Sequence, residues 1–199
     1  MRYVVSGTDT NIGKTVFCAG LAGLIGARYW KPVQAGEPGD SETVAELAGV
    51  ETLPEAYRLK LPASPHQSAA EEGIVIDADA LTPPDGPLII EGAGGLMVPL
   101  TREILFIDVF ARWKLPLILC ARTALGTINH TLLSVEAIRA RDIPLHGVAF
   151  IGDANDESER IITELGKVRR LGRLPQIAPL TPGRLAGVFS KTFEKADFV

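Results

Sequence analysis

Short apolar runs rich in β-branched residues alternate along the chain with longer segments whose apolar positions recur at helical spacing, and that alternation predicts the fold. The first run, around Val4 and Val5, breaks at Gly7 into small polar residues, and a helix pattern opens at Lys14. That helix carries Val16, Phe17, Ala19, Leu21, Leu24 and Ile25, so it is apolar on nearly every side and should be covered by other elements before ending near Gly26. A second strand is predicted over residues 29–33 and a loop over residues 34–40, where Gly36, Pro38 and Gly39 cluster. Residues 41–48 place Val44, Leu47 and Ala48 at helical spacing, with Asp40 or Ser41 as the natural N-cap. Residues 51–87 are less regular, with short helices expected over 66–72 and near Asp79.

A third buried strand, residues 87–91, ends on Glu91 and runs into a glycine-rich turn, Gly92-Ala93-Gly94-Gly95. Beyond it the pattern predicts a helix over 107–113, a strand over 115–121 and a long helix over 128–141. That long helix has Ile128, Leu132, Val135 and Ile138 on one face, with Asn129 as a cap. A strand over 148–151, a helix over 158–165, a strand over 171–174 and a closing helix and tail over 182–199 complete the chain. Strands alternating with helices in this way predict a single α/β domain, residues 1–199, of P-loop NTPase-like architecture: a mostly parallel central sheet with helices on both faces and right-handed crossovers. Ligands of such sheets bind at the carboxyl ends of the strands. Lys14 with Thr15, Lys31 and Glu91 stand at the ends of three different strands.

Composition narrows the function more than the fold. At 46% hydrophobic and 22% charged residues the chain is ordinary for a globular protein, which argues against disorder and against a coiled coil. A net charge of −4 with no basic run gives no electrostatic reason to expect nucleic acid, so any anion site must be local. No apolar stretch approaches the ~20 residues of a membrane span, and Met1 leads straight into a strand without a signal-peptide pattern; a soluble cytoplasmic protein is expected. Cys18 and Cys120 sit apart in apolar segments and read as buried free thiols.

The chemistry is concentrated at the first turn. The usual phosphate-loop pattern is G-x-x-x-x-G-K-[ST]; Gly13-Lys14-Thr15 fit it, but Thr8 stands where the first glycine belongs and Gly7 is one residue early. The tripeptide alone recurs by chance in roughly one chain in ten of this length, so the strand before it and the helix after it carry the weight. Helix-terminal amides, glycines and a lysine would hold a phosphate, and Thr15 would offer its hydroxyl to Mg²⁺. Without a ligand, the same stretch is a glycine-rich turn with an exposed lysine. Lys31 either snorkels to the surface or faces a ligand, and its convergence with the other strand ends favours the ligand. Asp40 is in the first instance a capping residue and His66 a polar loop residue. Two lysines, a threonine and carboxylates suit metal-assisted phosphoryl transfer better than a protein nucleophile, and His66, His130 and His146 are too scattered to form a catalytic set.

Gly7-Thr8-Asp9-Thr10 with Gly13-Lys14-Thr15, Lys31-Pro32-Val33-Gln34, Ser64-Pro65-His66, Glu91-Gly92-Ala93-Gly94-Gly95 with Val98-Pro99, and Leu125-Gly126 with Ile128-Asn129-His130 together resemble the motifs of the dethiobiotin synthetase family of biotin biosynthesis. The motifs occur in that family's order from residue 2 to about residue 152. The resemblance implies a ligase that joins 7,8-diaminopelargonic acid and CO₂ with ATP and Mg²⁺, through a carbamate and a carbamic-phosphoric anhydride, to give dethiobiotin, ADP and phosphate.

By the same resemblance, Lys31 and Lys14 are catalytic and Thr15, Asp40 and Glu91 hold Mg²⁺. Asn11, Ile12, Gly13, Lys14, Thr15, Val16, Asp40, Glu91, Gly92, Ala93, Gly94, Pro175 and Gln176 surround the nucleotide. Thr10, Ala35, Leu125, Gly126 and Asn129 meet the substrate, the last three across a homodimer interface. Three departures from the family pattern stand out. Ala35 replaces a common serine, Asn11 replaces a common acidic residue, and Phe150-Ile151-Gly152-Asp153 has no clear equivalent of the asparagine that reads adenine. Nucleoside triphosphates other than ATP are therefore candidate substrates. The alternatives are a partition or regulatory P-loop ATPase, which usually carries an extra lysine where this chain has Thr8, and a nucleotide-binding module without turnover.

Overall fold

The structure, a computed structural model, describes residues 1–199. The chain runs β1 (Arg2–Gly7), α1 (Lys14–Ile25), β2 (Arg28–Trp30), β3 (Val33–Ala35), α2 (Asp40–Ala48), β4 (Thr52–Leu53), β5 (Tyr57–Leu59), α3 (Pro65–Glu71) and β6 (Leu88–Gly95). It continues through α4 (Phe106–Trp113), β7 (Leu117–Arg122), α5 (Thr127–Arg139), β8 (Leu145–Ile151), α6 (Asp156–Gly166), β9 (Arg170–Leu174), α7 (Pro182–Thr192) and a final 3₁₀ turn, Lys195–Asp197. Seven parallel strands form the main sheet in the order β4-β2-β6-β1-β7-β8-β9. Strand alternation sends Tyr3, Val5, Tyr29, Ile89, Ile118 and Cys120 to the face covered by α1, α2 and α7, and Val4, Trp30, Ile90 and Leu119 to the face covered by α3–α6. No helix is long and apolar enough to cross a membrane.

Several boundaries differ from the sequence expectation, each for a local reason. The strand expected over residues 29–33 is broken: β2 stops at Trp30, and Val33, expected in that strand, joins Gln34 and Ala35, expected in a loop, as β3, which pairs with β5 in a separate two-stranded parallel sheet. Pro32 has no N–H to continue the first ladder, and its carbonyl accepts the Tyr57 amide of the second. No helix forms near Asp79, because the Asp77 carboxylate accepts the amides of Asp79 and Ala80 at 2.9 and 3.2 Å and offers the backbone a turn instead. The glycines after Glu91 continue β6 rather than leave it, and Gly95 pairs with Gly7. There a Cβ on Gly92 would lie 2.8 Å from the Phe110 ring.

The caps are also corrected. Gly39, not Asp40 or Ser41, precedes α2, which leaves the Asp40 side chain free for other partners. Gly126, in a left-handed conformation, precedes α5, and Asn129 lies inside its first turn.

The tail closes over the amino-terminal end of the sheet. His146 Nε2 donates to the Asp197 carbonyl at 2.9 Å, and its ring lies edge-on to Tyr3 and against Phe198. Burial pushes the His146 pKa below its ordinary value, Arg169 adds to this, and the Asp197 carbonyl opposes it. The folded state therefore disfavours the imidazolium. This contribution to stability is complete above the unfolded value of 6.5 and is lost as pH falls from there through the lower folded value. Thermal denaturation between pH 7.5 and about 5 should show that decline, and His146→Gln should flatten it; an equal decline in the variant would assign it to other groups.

Candidate active site

The phosphate-loop segment turns where its glycines demand. Gly13 precedes α1 with φ of 93°, and a Cβ there would also press on Ile151 at 3.0 Å. Gly7 meets the loop from below: an added Cβ would lie 2.6 Å from Ile12 and 3.0 Å from the Lys14 side chain. The close approach thus falls at residue 7, so a threonine is tolerated at 8. No acidic residue stands in the first turn of α1 to neutralise its terminal amides. Asp9 braces the loop, accepting the Thr10 amide at 2.7 Å on one oxygen and pairing through the other with Arg122 at the end of β7.

Lys14 is 6% exposed, which discards the exposed-lysine reading, and its ammonium folds back to donate to the Asp9 carbonyl at 2.9 Å. Burial lowers its pKa by more than the nearby Glu91 carboxylate raises it.

Lys31, just past β2, is 4% exposed and does not snorkel. It pairs with Asp40 at the start of α2, lies 3.1 Å from Glu91 Oε1 and donates to the Gly92 carbonyl at 3.3 Å. Burial opposes its charge, but Glu91 and Asp40 outweigh burial and hold its pKa above the ordinary lysine value. Thr15 Oγ1 lies 3.1 Å from Asp40 Oδ1 and 3.0 Å from Glu91 Oε1. One hydroxyl proton cannot serve both carboxylates at once, and a hydroxyl and two carboxylate oxygens converging in this way form a donor set that suits a hard cation.

Two further groups aim the carboxylates, and sequence reasoning missed both. Tyr29 donates to Glu91 Oε2 at 2.9 Å; burial first, and then Glu91, push its pKa well up, so it is a neutral donor. Gln34 accepts the Asp40 amide at 3.1 Å and donates to the Gly36 carbonyl at 2.9 Å. The available signal for Tyr29 was its position two residues before Lys31, which puts both on one side of an extended chain.

One cavity of about 790 Å³ at the carboxyl ends of the strands gathers residues 10–16 with Lys31, Ala35, Asp40, Glu91, Ala93 and Gly94. Residues 62–65, including Ser64 and Pro65 of the third motif, close the opposite wall. Gly92 reaches this site through its carbonyl alone. The remaining expected residues lie elsewhere on the chain. Leu125, Gly126 and Asn129 are exposed at the start of α5, and Pro175 and Gln176 follow β9, three strands from β1; none lines the cavity.

A family model described as an AAA domain matches residues 1–184. The "ATP-dependent dethiobiotin synthetase BioD" of Sphingopyxis alaskensis is 60% identical over 199 residues, covering 99% of this chain and 98% of its own. The protein of the same name from Agrobacterium fabrum is 62% identical over 206 residues, covering 100% and 97%. Among solved structures, a ParA family ATPase from Chlorobium tepidum shares the fold at a TM-score of 0.52 and 11% identity, over 96% of each chain. The MinC:MinD cell division complex of Aquifex aeolicus shares it at 0.54 and 11% identity, over 94% of this chain and 91% of that one. At such identities these structures speak for the architecture only. End-to-end identity near 60% speaks for more: the chain belongs to the ATP-dependent dethiobiotin synthetase family.

Proposed function

We propose that the chain catalyses the ATP-dependent closure of 7,8-diaminopelargonic acid and CO₂ to dethiobiotin, with ADP and phosphate as by-products, in the cytoplasm. The observation that carries the site assignment is the meeting of Lys31, Asp40 and Glu91 with the phosphate-loop residue Thr15 on one cavity wall. Thr15, Asp40 and Glu91 would hold Mg²⁺, which when bound neutralises phosphate charge and helps orient the transferred group.

The α1 terminus and Lys14 bind the triphosphate, Lys14 leaving the Asp9 carbonyl for phosphate oxygens. Lys31 keeps its proton at neutral pH and so serves as a fixed positive charge, not a base, drawing the substrate carbamate towards the γ-phosphate. One amine adds to CO₂ and loses a proton to water, giving the carbamate, and attack by a carbamate oxygen on that phosphorus releases ADP and forms the anhydride. The second amine then attacks the carbamoyl carbon, the C–O bond to phosphate breaks, the departing phosphate takes the amine's proton, and the ureido ring closes. Thr10 and Ala35 border the substrate on this chain. Pro175 and Gln176 flank the nucleotide base. In this reading residues 1–199 act as one P-loop domain in each subunit.

The test is mass spectrometry of the protein incubated with diaminopelargonic acid, ¹³C-bicarbonate, Mg²⁺ and ATP, with a parallel CTP reaction. Labelled dethiobiotin supports the reading. No product with either nucleotide, from protein that binds ATP, would turn the assignment to a partition-type switch.

The active assembly is a homodimer in which Leu125, Gly126 and Asn129 of one subunit reach the substrate carboxylate bound by the other. Exposure of Leu125 just before α5, and of Ile128 and Leu133 on it, supports this, as does a helix N-terminus suited to an anion. Sedimentation should give twice the 21.3 kDa chain mass at assay concentration, and Leu133→Glu should shift it to the single mass. A wild-type monomer would refute the shared site.

A further inference from the structure

Glu91 reaches the cavity from the middle of the sheet, 1% exposed, and its two oxygens are treated differently. Oε1 meets Thr15 at 3.0 Å and Lys31 at 3.1 Å, while Oε2 accepts the hydroxyl of Tyr29, which is fully buried, at 2.9 Å. Sheet register dictates this division. Tyr29 on β2 stands opposite Ile89 on β6, and two residues further on each chain lie Lys31 and Glu91, on the same side of the sheet as the residues they follow. A tyrosine side chain spans that step along the sheet, so β2 and the residue just past it hold the carboxylate at two points, with a neutral donor on the inner oxygen and a cation on the outer one.

We propose that Tyr29 is a positioning residue for the metal site: it stops the Glu91 carboxylate from rotating and commits a single oxygen, Oε1, to the cation beside Thr15 and Asp40. This rests on the magnesium assignment above. Without the hydroxyl, the only buried donor besides Lys31 left to Glu91 on that face is the Cys18 thiol, a weak one. The carboxylate is then free to exchange its oxygens or turn both towards Lys31, and each such state must be reversed before a cation binds. The loss therefore falls on metal affinity and not on the nucleotide contacts of the phosphate loop, to which Tyr29 contributes nothing directly.

The experiment is a calorimetric titration of a non-hydrolysable ATP analogue into Tyr29→Phe, Glu91→Gln and the unaltered chain, across a series of Mg²⁺ concentrations, with melting temperatures alongside. Tyr29→Phe should raise the half-saturating Mg²⁺ about tenfold, as expected for a lost hydrogen bond to a charged group, and leave metal-free analogue affinity within about twofold. Saturating Mg²⁺ should restore its kcat. A Mg²⁺ half-saturation unchanged from the unaltered chain, whatever the melting temperature, would reduce Tyr29 to a packing role and overturn the proposal. If Glu91→Gln also leaves the Mg²⁺ dependence untouched, the metal assignment itself fails, and the two failures are told apart.

Discussion

Lys31→Ala is expected to lower turnover by about 10²–10³-fold, the scale of one preorganised charge at a reacting centre, while analogue binding largely survives. A second effect accompanies it. Lys31 is the cation paired with Glu91, which is 1% exposed, and with the partly exposed Asp40. Removing one partner of so buried a pair costs about 3–5 kcal/mol, because the carboxylates that remain are desolvated and uncompensated. In a chain of this length that is a melting-temperature loss of about 6–20 °C. Mg²⁺ should recover a larger part of the loss in the variant than it adds to the unaltered chain, since it takes over the neutralisation of the same oxygens. Thermal melts with and without Mg²⁺, run beside steady-state kinetics, check both parts. A variant whose melting temperature ignores Mg²⁺ would separate Lys31 from the metal site.

Lys14→Met is expected to weaken ATP-analogue binding by 10²-fold or more, because the phosphates lose their closest fixed charge. Its effect on the unliganded chain has the opposite sign. The Lys14 pKa is lowered in the folded state, first by burial, so at neutral pH folding pays for keeping an ammonium out of water. Methionine has similar length and no charge, so the unliganded melting temperature should hold or rise. Stabilisation by nucleotide, large in the unaltered chain, should nearly vanish. Differential scanning fluorimetry with and without the analogue reads both, and a variant less stable without ligand would show that Lys14 supports the loop as well as binding phosphate.

The alternating pattern revealed the main sheet apart from the two-residue β4, because buried parallel strands such as residues 88–90 and 117–121 are continuous apolar runs. It missed β3–β5 because a two-stranded sheet of three-residue strands has too short a pattern to register, and because Gln34 and Ala35 look like loop beside Gly36. The phosphate loop, Lys31 and Glu91 were legible because each closes an apolar strand run in the sequence, whereas Asp40 read as a helix cap until the family resemblance gave it a second role. Tyr29 and Gln34 were not, since a buried hydroxyl or amide reveals its partner only once neighbouring strands are in register. Leu125, Gly126 and Asn129 do not line the cavity of their own chain, and only the homodimer proposed above would bring them to one.

The place of β6 between β1 and β2 has a consequence for how the chain can diverge. The nucleotide half of the site rests on three adjoining central strands, where altering Tyr29, Lys31 or Glu91 disturbs neighbours on both sides. Of the segments proposed to meet the substrate, the exposed start of α5 is peripheral, where exchanges typically shift stability by no more than about 0.5 kcal/mol, while Ala35 on the small outlying sheet is partly buried against the core. In the proposed dimer, exchanges at the start of α5 would therefore alter substrate contacts with little disturbance of the strands that carry Tyr29 and Glu91.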